Sequence, residues 1–234
     1  MQLKPGFWSI RKGTITALAG LLVLLSPVVR AQGKAAESGN WRLEKDKDGI
    51  QVYTRFTEQS RLKEVKVHCE AEGTLDQVVA YLTDIDNHPK FVYRVKTAYL
   101  IKRVSARELI YYTETEMPWP VKNRDVVMHL VLEPDADGQR LVVLADNAPG
   151  MVPVHPDKVR IPYWHSRWDV RKTGDKRLSM DYTFKVDPGG TLPAWLVNLT
   201  ATMGPFTSFS VMKQHLKTIR PPERDDRLSN KEMK

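Results

Sequence analysis

The chain has 234 residues, of which 41% are hydrophobic and 27% charged. That is an ordinary balance for one large folded domain or two small ones, and it excludes both disorder and a protein of many membrane spans. The formal charge of +8 is concentrated at the start: setting aside Lys4, Arg11, Lys12 and Arg30 leaves 32 basic against 28 acidic residues, a net +4. A mild, scattered excess of that size excludes a nucleic-acid footprint.

Residues 1–31 read as a secretory signal. A basic start (Lys4, Arg11, Lys12) precedes an apolar run from Ile15 to Leu25, then Ser26-Pro27 and small residues before a cleavage site after Ala31. The apolar run is shorter than the ~20 residues of a spanning helix; an uncleaved anchor is the alternative. No cysteine lies at the cleavage region, so a lipid anchor is not indicated, and the expected location is periplasmic or secreted. Residues 32–39 form a polar linker, and the folded domain runs from 40 to 218. The only cysteine, Cys69, has nothing to pair with and reads as a buried structural thiol.

Trp41–Lys45 and Ile50–Phe56 form a hairpin across Asp46-Lys-Asp-Gly49. Lys63–Ala71 alternates strictly, with Val65, Val67, Cys69 and Ala71 on the apolar side. Thr74 then caps a helix through Thr83, and Asp84–Tyr93, broken by Pro89, is a second short helix or an irregular segment. Six strands follow: Val95–Val104, Glu108–Met117, Arg124–Leu132, Gln139–Asp146, Lys158–Lys172 and Arg177–Val186. After the turn Asp187-Pro-Gly-Gly190, apolar residues recur every three or four positions from Pro193 to Lys217 (Trp195, Leu196, Leu199, Met203, Phe206, Phe209, Met212, Leu216), the mark of one long amphipathic helix. The order of elements is α+β: a long helix lies against one bent antiparallel sheet, and a space is expected between them. The tail, 219–234, is polar and mixed in charge, the composition of a disordered segment.

Parity along the strands predicts what faces that space. Leu109, Tyr111, Thr113, Thr115 and Met117 share a face opposite Glu114 and Glu116, and two carboxylates belong in water, so the first set points inward. Val126, Met128, Leu130 and Leu132 continue the wall. Tyr163 and His165, in phase with Ile161, are placed inside, with Tyr182 and the helix residues Leu199, Met203 and Phe206. The ligand-contacting residues expected from this reading are Tyr111, Thr113, Thr115, Met117, Met128, Leu130, Tyr163, His165, Tyr182, Leu199, Met203 and Phe206. Such a wall, apolar with a few hydroxyls, suits a ligand that is mostly hydrocarbon. The alternative is that these side chains fill a closed core.

Trp41...Asp48-Gly-Ile50...Tyr53, Tyr111-Tyr112...Pro118-Trp-Pro-Val121...Asn123-Arg-Asp125, and Gly190...Pro193-Ala-Trp-Leu-Val-Asn198 with Gly204-Pro205 resemble the START (StAR-related lipid transfer) family over residues 40–217. The resemblance implies a helix-grip fold, with an antiparallel sheet wrapped round the C-terminal helix and a tunnel for one lipid. The function expected is binding and transfer of a lipid or other hydrophobic ligand, without catalysis or cofactor, by a monomer that touches membranes transiently. Some sterol-binding members carry a buried Arg and a carboxylate on the inward faces; here the matching positions are Leu130 and Tyr111, so sterol specificity is not indicated. The loop Met117–Lys122 corresponds to the tunnel mouth, with Trp119, between two prolines, either a portal residue or loop packing.

Motifs for catalysis are missing: no Gly-x-Ser-x-Gly, no phosphate loop, no Cys-x-x-Cys. His155 and His165 are ten positions apart and do not make a helical metal site. Arg124-Asp125 reads as an ion pair at a strand start. An aromatase/cyclase-type enzyme using Tyr111, His165 or Tyr182 as acid or base is the competing function.

Overall fold

The computed structural model describes residues 40–57, 60–192 and 194–219; within these, the side chains at 57–62, 194, 195, 198 and 199 are not described. The expectations for a signal (1–31), a linker (32–39), the tail beyond 219 and the side chain of Leu199 lie outside the described residues.

The N-terminal hairpin joins β1 (Arg42–Lys47) to β2 (Ile50–Thr57). Asp48 and Gly49 both have positive φ, 55° and 69°, the two-residue turn whose twist matches the flanking strands. β3 (Ser60–Glu72) pairs with β2 and buries Val65, Val67, Cys69 and Ala71 by alternation. Helix α1 (Leu75–Thr83) opens on a capping box: Gln77 N donates to Thr74 Oγ1 at 3.3 Å, and Thr74 N donates to Gln77 Oε1 at 2.9 Å. A 3-10 turn (Ile85–Asn87) and the short α2 (His88–Phe91, with Pro89 in its first turn) lead into β4 (Val95–Ser105).

β5 (Glu108–Thr115), β6 (Asn123–Pro134) and β7 (Arg140–Asn147) form an antiparallel meander. Three-residue β8 (Lys158–Arg160) pairs in parallel with the start of β6. β9 (Tyr163–Gly174) and β10 (Arg177–Asp187) complete the sheet, in the order β1-β2-β3-β10-β9-β7-β6-β5-β4 with β8 off the path. Pairing of β10 with β3 joins the two ends of the chain in one antiparallel sheet. Its concave face takes α3 (Ala194–Leu216), which packs on β1, β2, β3 and α1. This is the helix-grip arrangement.

The far end of α3 is fixed from several sides. Leu216, Met212 and Phe209 are buried, Lys213 Nζ donates to Asp48 O at 2.8 Å, and Gln77 Nε2 donates to the carbonyls of Leu216 (2.9 Å) and Ile219 (2.7 Å). The residue that caps the start of α1 thus also satisfies carbonyls left open at the end of α3.

Two expectations about the sheet are corrected. Lys158–Lys172 is not one strand: Pro162 has no N–H to give a ladder, and the chain breaks at Ile161-Pro162, with Ile161 N bonded to Asp125 O and Asn147 holding both Pro162 O and Trp164 N. Nor does Glu114 stand in water. β8 lies beside the start of β6 in the sheet and brings Lys158 to the outer face, where Glu114 is buried against Asn123 Nδ2 (2.6 Å), Lys158 (3.0 Å) and Lys96 (3.7 Å).

Candidate functional site

Between the concave sheet and α3 lies a cavity of about 860 Å3, within the range of sites that enclose small molecules. Its existence follows from the helix surface. The face of α3 turned to the cavity carries Leu196, Thr200, Ala201, Gly204, Ser208, Phe209 and Met212, so small side chains occupy the middle of the stripe. A sheet lined with large residues facing a helix lined with small ones leaves the layers incompletely filled.

The wall of β5 and β6 is as parity predicts. Tyr111, Thr113, Thr115 and Met117 line the cavity, with Val126, Met128 and Leu130 beside them. Register pairs Tyr111 with Met128, Thr113 with Val126 and Thr115 with Arg124, so the wall is a series of rungs. Tyr182 also lines it, on β10. Leu130 and Tyr111, where a buried charged pair was considered, present an alkyl chain and a phenol.

Four of the expected residues are elsewhere. The break at Ile161-Pro162 reverses the phase of β9, so Ile161 lines the cavity while Tyr163 and His165 face outward. His165 Nδ1 lies 2.7 Å from Asp146 Oδ1 on the exposed surface. The alternate residues of the strand, Trp164, Ser166 and Trp168, are the ones that face in. Met203 and Phe206 lie on the side of α3 turned to β1, where Lys45 Nζ sits 3.6 Å from Met203 Sδ and 3.6 Å from the centre of the Phe206 ring. Trp119 is 92% exposed and does not line the cavity.

Sequence reasoning also missed an aromatic ladder on the β9–β10 side. Ring centres are 5.7 Å apart for Trp164 and Phe184, 5.4 Å for Phe184 and Tyr182, 4.4 Å for Tyr182 and Trp168, and 5.0 Å for Trp168 and Phe209. The alternation of Trp164, Ser166 and Trp168 was the available signal once the proline was read as a break.

Polar groups in the cavity fall into two sets. The enclosed set is uncharged. Burial pushes the His88 pKa down to about 4, and burial raises the phenols of Tyr81, Tyr111 and Tyr182 above the usual value, so the imidazole and all three phenols are neutral at pH 7. Tyr81 Oη and Thr113 Oγ1 are buried without a hydrogen-bond partner. The second set is charged: Lys63, Arg94, Glu116, Arg124 and Asp187.

Arg124 is 4% exposed, and no ion pair forms with Asp125. Arg124 turns inward, and its guanidinium donates to three carbonyls: Nη1 to Lys122 O (2.6 Å), Nη2 to Gly189 O (3.1 Å) and Nε to Pro188 O (3.3 Å). Asp125 points to the outer face, where Arg160 Nε and Nη2 reach it at 2.9 and 3.0 Å and Tyr112 Oη at 3.2 Å. Adjacent residues on one strand therefore hold opposite sides of the sheet. Among the described residues no group of three or more His, Cys, Asp or Glu is placed to hold a metal ion.

The START domain family profile matches residues 29–220. An uncharacterized protein of Pseudomonas aeruginosa is 27% identical over 193 residues, spanning 82% of this chain and 94% of its own length. The phosphatidylcholine transfer protein of Rattus norvegicus is 28% identical over 179 residues, spanning 74% of this chain and 82% of that protein. Among solved structures, a STAR-related lipid transfer protein from Xanthomonas axonopodis superposes with a TM-score of 0.69 at 32% identity, covering 76% of this chain and 98% of the other. Profile, sequence relatives and superposed fold agree on residues that wrap a sheet round a terminal helix, and the chain belongs to the START domain family.

Proposed function

We propose that this chain binds one lipid, or a molecule of similar hydrophobicity, in the cavity between the sheet and α3, and carries it between membranes without chemical change. The observation that carries this reading is the 860 Å3 space itself, walled mainly by apolar and aromatic side chains. Taking about 300 Å2 of hydrocarbon out of water there is worth roughly 7 kcal/mol before ordering costs. The names of the rat and Xanthomonas relatives, both lipid transfer proteins, support the same function.

The competing cyclase reading loses its histidine, since His165 is on the outer surface beside Asp146. Tyr111 and Tyr182 remain inside, and burial raises their pKa values, which keeps them protonated at neutral pH: poor bases, with only the proton-donor role left to them. The protein acts as a monomer and does not bind nucleic acid, in keeping with its mild charge. The basic and apolar start of the sequence supports export to the periplasm or beyond. Trp119, on the loop from Met117 to Lys122, and Val154, 66% exposed on the neighbouring loop, supply the membrane contact; Lys122 Nζ joins the two loops by donating to Pro156 O at 2.8 Å.

Native mass spectrometry of protein purified from its own envelope tests the proposal. The expected result is a mass excess of one lipid per chain, released intact by organic extraction and abolished in Ala201→Trp, which puts an indole into the cavity. Recovery of a chemically altered ligand, or of protein with no excess mass under any extraction, refutes it.

A further inference from the structure

We propose that the enclosed end of the cavity is a subsite for an uncharged hydrogen-bonding head, a hydroxyl or ester, so that the cargo is a non-ionic lipid held head inward. This rests on the lipid-carrying function proposed above and specifies its cargo.

The enclosed end is built from α1, α2 and β5. Tyr81 is 3% exposed, and its ring lies 4.5 Å from Phe91; Phe91 lies 5.5 Å from His88, and His88 lies 5.7 Å from Tyr111. Thr113 is the next inward residue along β5 from Tyr111. Two of these groups, Tyr81 Oη and Thr113 Oγ1, are buried with no partner. Burying a hydroxyl without a hydrogen bond is costly, and natural interiors rarely leave it so. A ligand that supplies acceptors and donors at this end removes that cost.

Charge is excluded from the same end. The His88 imidazole is neutral, and the phenols keep their protons. Four of the five charged side chains lie about the Thr115–Arg124 rung instead: Arg94 Nε bonds Glu116 O, and Arg124 bonds the carbonyls of the turn that follows Asp187, while Lys63 stands on β3. Each guanidinium nitrogen of Arg124 already donates to a backbone carbonyl. None of Tyr81, His88, Phe91, Tyr111 and Thr113, the described residues that form this end, is a cation, so a phosphate or carboxylate drawn to it stays unpaired in an apolar enclosure.

The test compares three probes that share one oleoyl chain: monooleoylglycerol, oleate and lysophosphatidylcholine. Each is radiolabelled, held below its aggregation concentration and incubated with the full chain; bound probe is counted after rapid gel filtration. Monooleoylglycerol is expected to bind at least about 10-fold more tightly than the other two. Tyr81→Phe and Thr113→Val should each weaken it about 3- to 10-fold, and the double variant should abolish the preference. The urea midpoint of the double variant should be equal to or above that of the parent, since only unpartnered hydroxyls are removed. Tighter binding of oleate or lysophosphatidylcholine overturns the neutral subsite and leaves carriage standing. So does a double variant that keeps the preference, or one whose midpoint falls sharply and thereby shows the hydroxyls to be structural. No binding of any probe overturns carriage and the subsite together.

Discussion

Replacing Asp125 by alanine tests how the outer face of β6 is held. Its carboxylate is 1% exposed and takes two hydrogen bonds from Arg160 and one from Tyr112. Breaking a buried, hydrogen-bonded ion pair by removing one partner costs ~3–5 kcal/mol. Arg160 is not fully stranded by the change, because its side chain is 17% exposed and keeps the carbonyls of Val152 and Pro153. The lower end, about 3 kcal/mol, is therefore expected, which for a domain of this size lowers Tm by about 6–12 °C. Urea unfolding of Asp125→Ala, Arg160→Met and the double variant gives the coupling, expected at about 2 kcal/mol.

The pH dependence follows with its sign. Burial alone would raise the Asp125 pKa, but the bonds from Arg160 and Tyr112 outweigh it and the net shift is downward. A carboxylate depressed in the folded state contributes stability that is present above its unfolded pKa of about 3.9 and is lost as pH falls through the folded value. The parent should thus lose stability more steeply than Asp125→Ala below pH ~4. Because Asp125 faces away from the cavity, ligand binding below the new Tm should be unchanged. A coupling under about 0.5 kcal/mol, the size of an exposed pair, would show that β8 is held by something other than this ion pair.

Gly189 has φ +66°, and a Cβ there would lie 3.1 Å from Val159 Cγ1 and 3.2 Å from Pro162 Cδ; Gly138, φ +61°, has nothing within 4 Å. Gly138→Ala should cost about 1–2 kcal/mol for backbone conformation alone, and Gly189→Ala measurably more by urea unfolding, the excess reporting the tight fit of that turn. His88, whose pKa is lowered by burial to about 4, stays neutral while the unfolded chain takes up a proton below pH ~6.5. Stability should fall by up to about 3 kcal/mol as pH drops from ~6.5 to ~4 and then level off; His88→Gln should flatten that stretch of the curve, and an unchanged slope would place the titrating group elsewhere. Trp119→Ala, at a fully solvated position, should change stability by less than about 0.5 kcal/mol while reducing vesicle binding in a flotation assay; equal flotation would remove Trp119 from the membrane contact.

Alternation in Val65, Val67, Cys69 and Ala71, the capping pair Thr74 and Gln77, and the Asp48-Gly49 turn are local signals, and local physics decided those elements. The β5–β6 wall was legible for the same reason. The β9 wall was not, because one proline moved every later side chain to the opposite face, and a period of two carries no memory of a skipped residue. Glu114 and Glu116 looked alike, yet β8 returns from more than thirty positions later to bury the first and leave the second exposed. On α3 the hydrophobic stripe marked Met203 and Phe206, which pack toward β1. The cavity face is marked by absence of bulk, Thr200, Ala201, Gly204 and Ser208, and a search for apolar residues passes over it.

The long helix is fastened like a beam seated at both abutments. Arg124 grips the turn just ahead of it, and Gln77 grips the carbonyls at its far end. Between them, Pro205 has no amide hydrogen to give Ala201, and Gly204 stiffens nothing. The fastening therefore leaves the middle of the span as the least restrained part of the helix, so that bowing there, rather than swinging of a free end, is the motion it leaves open.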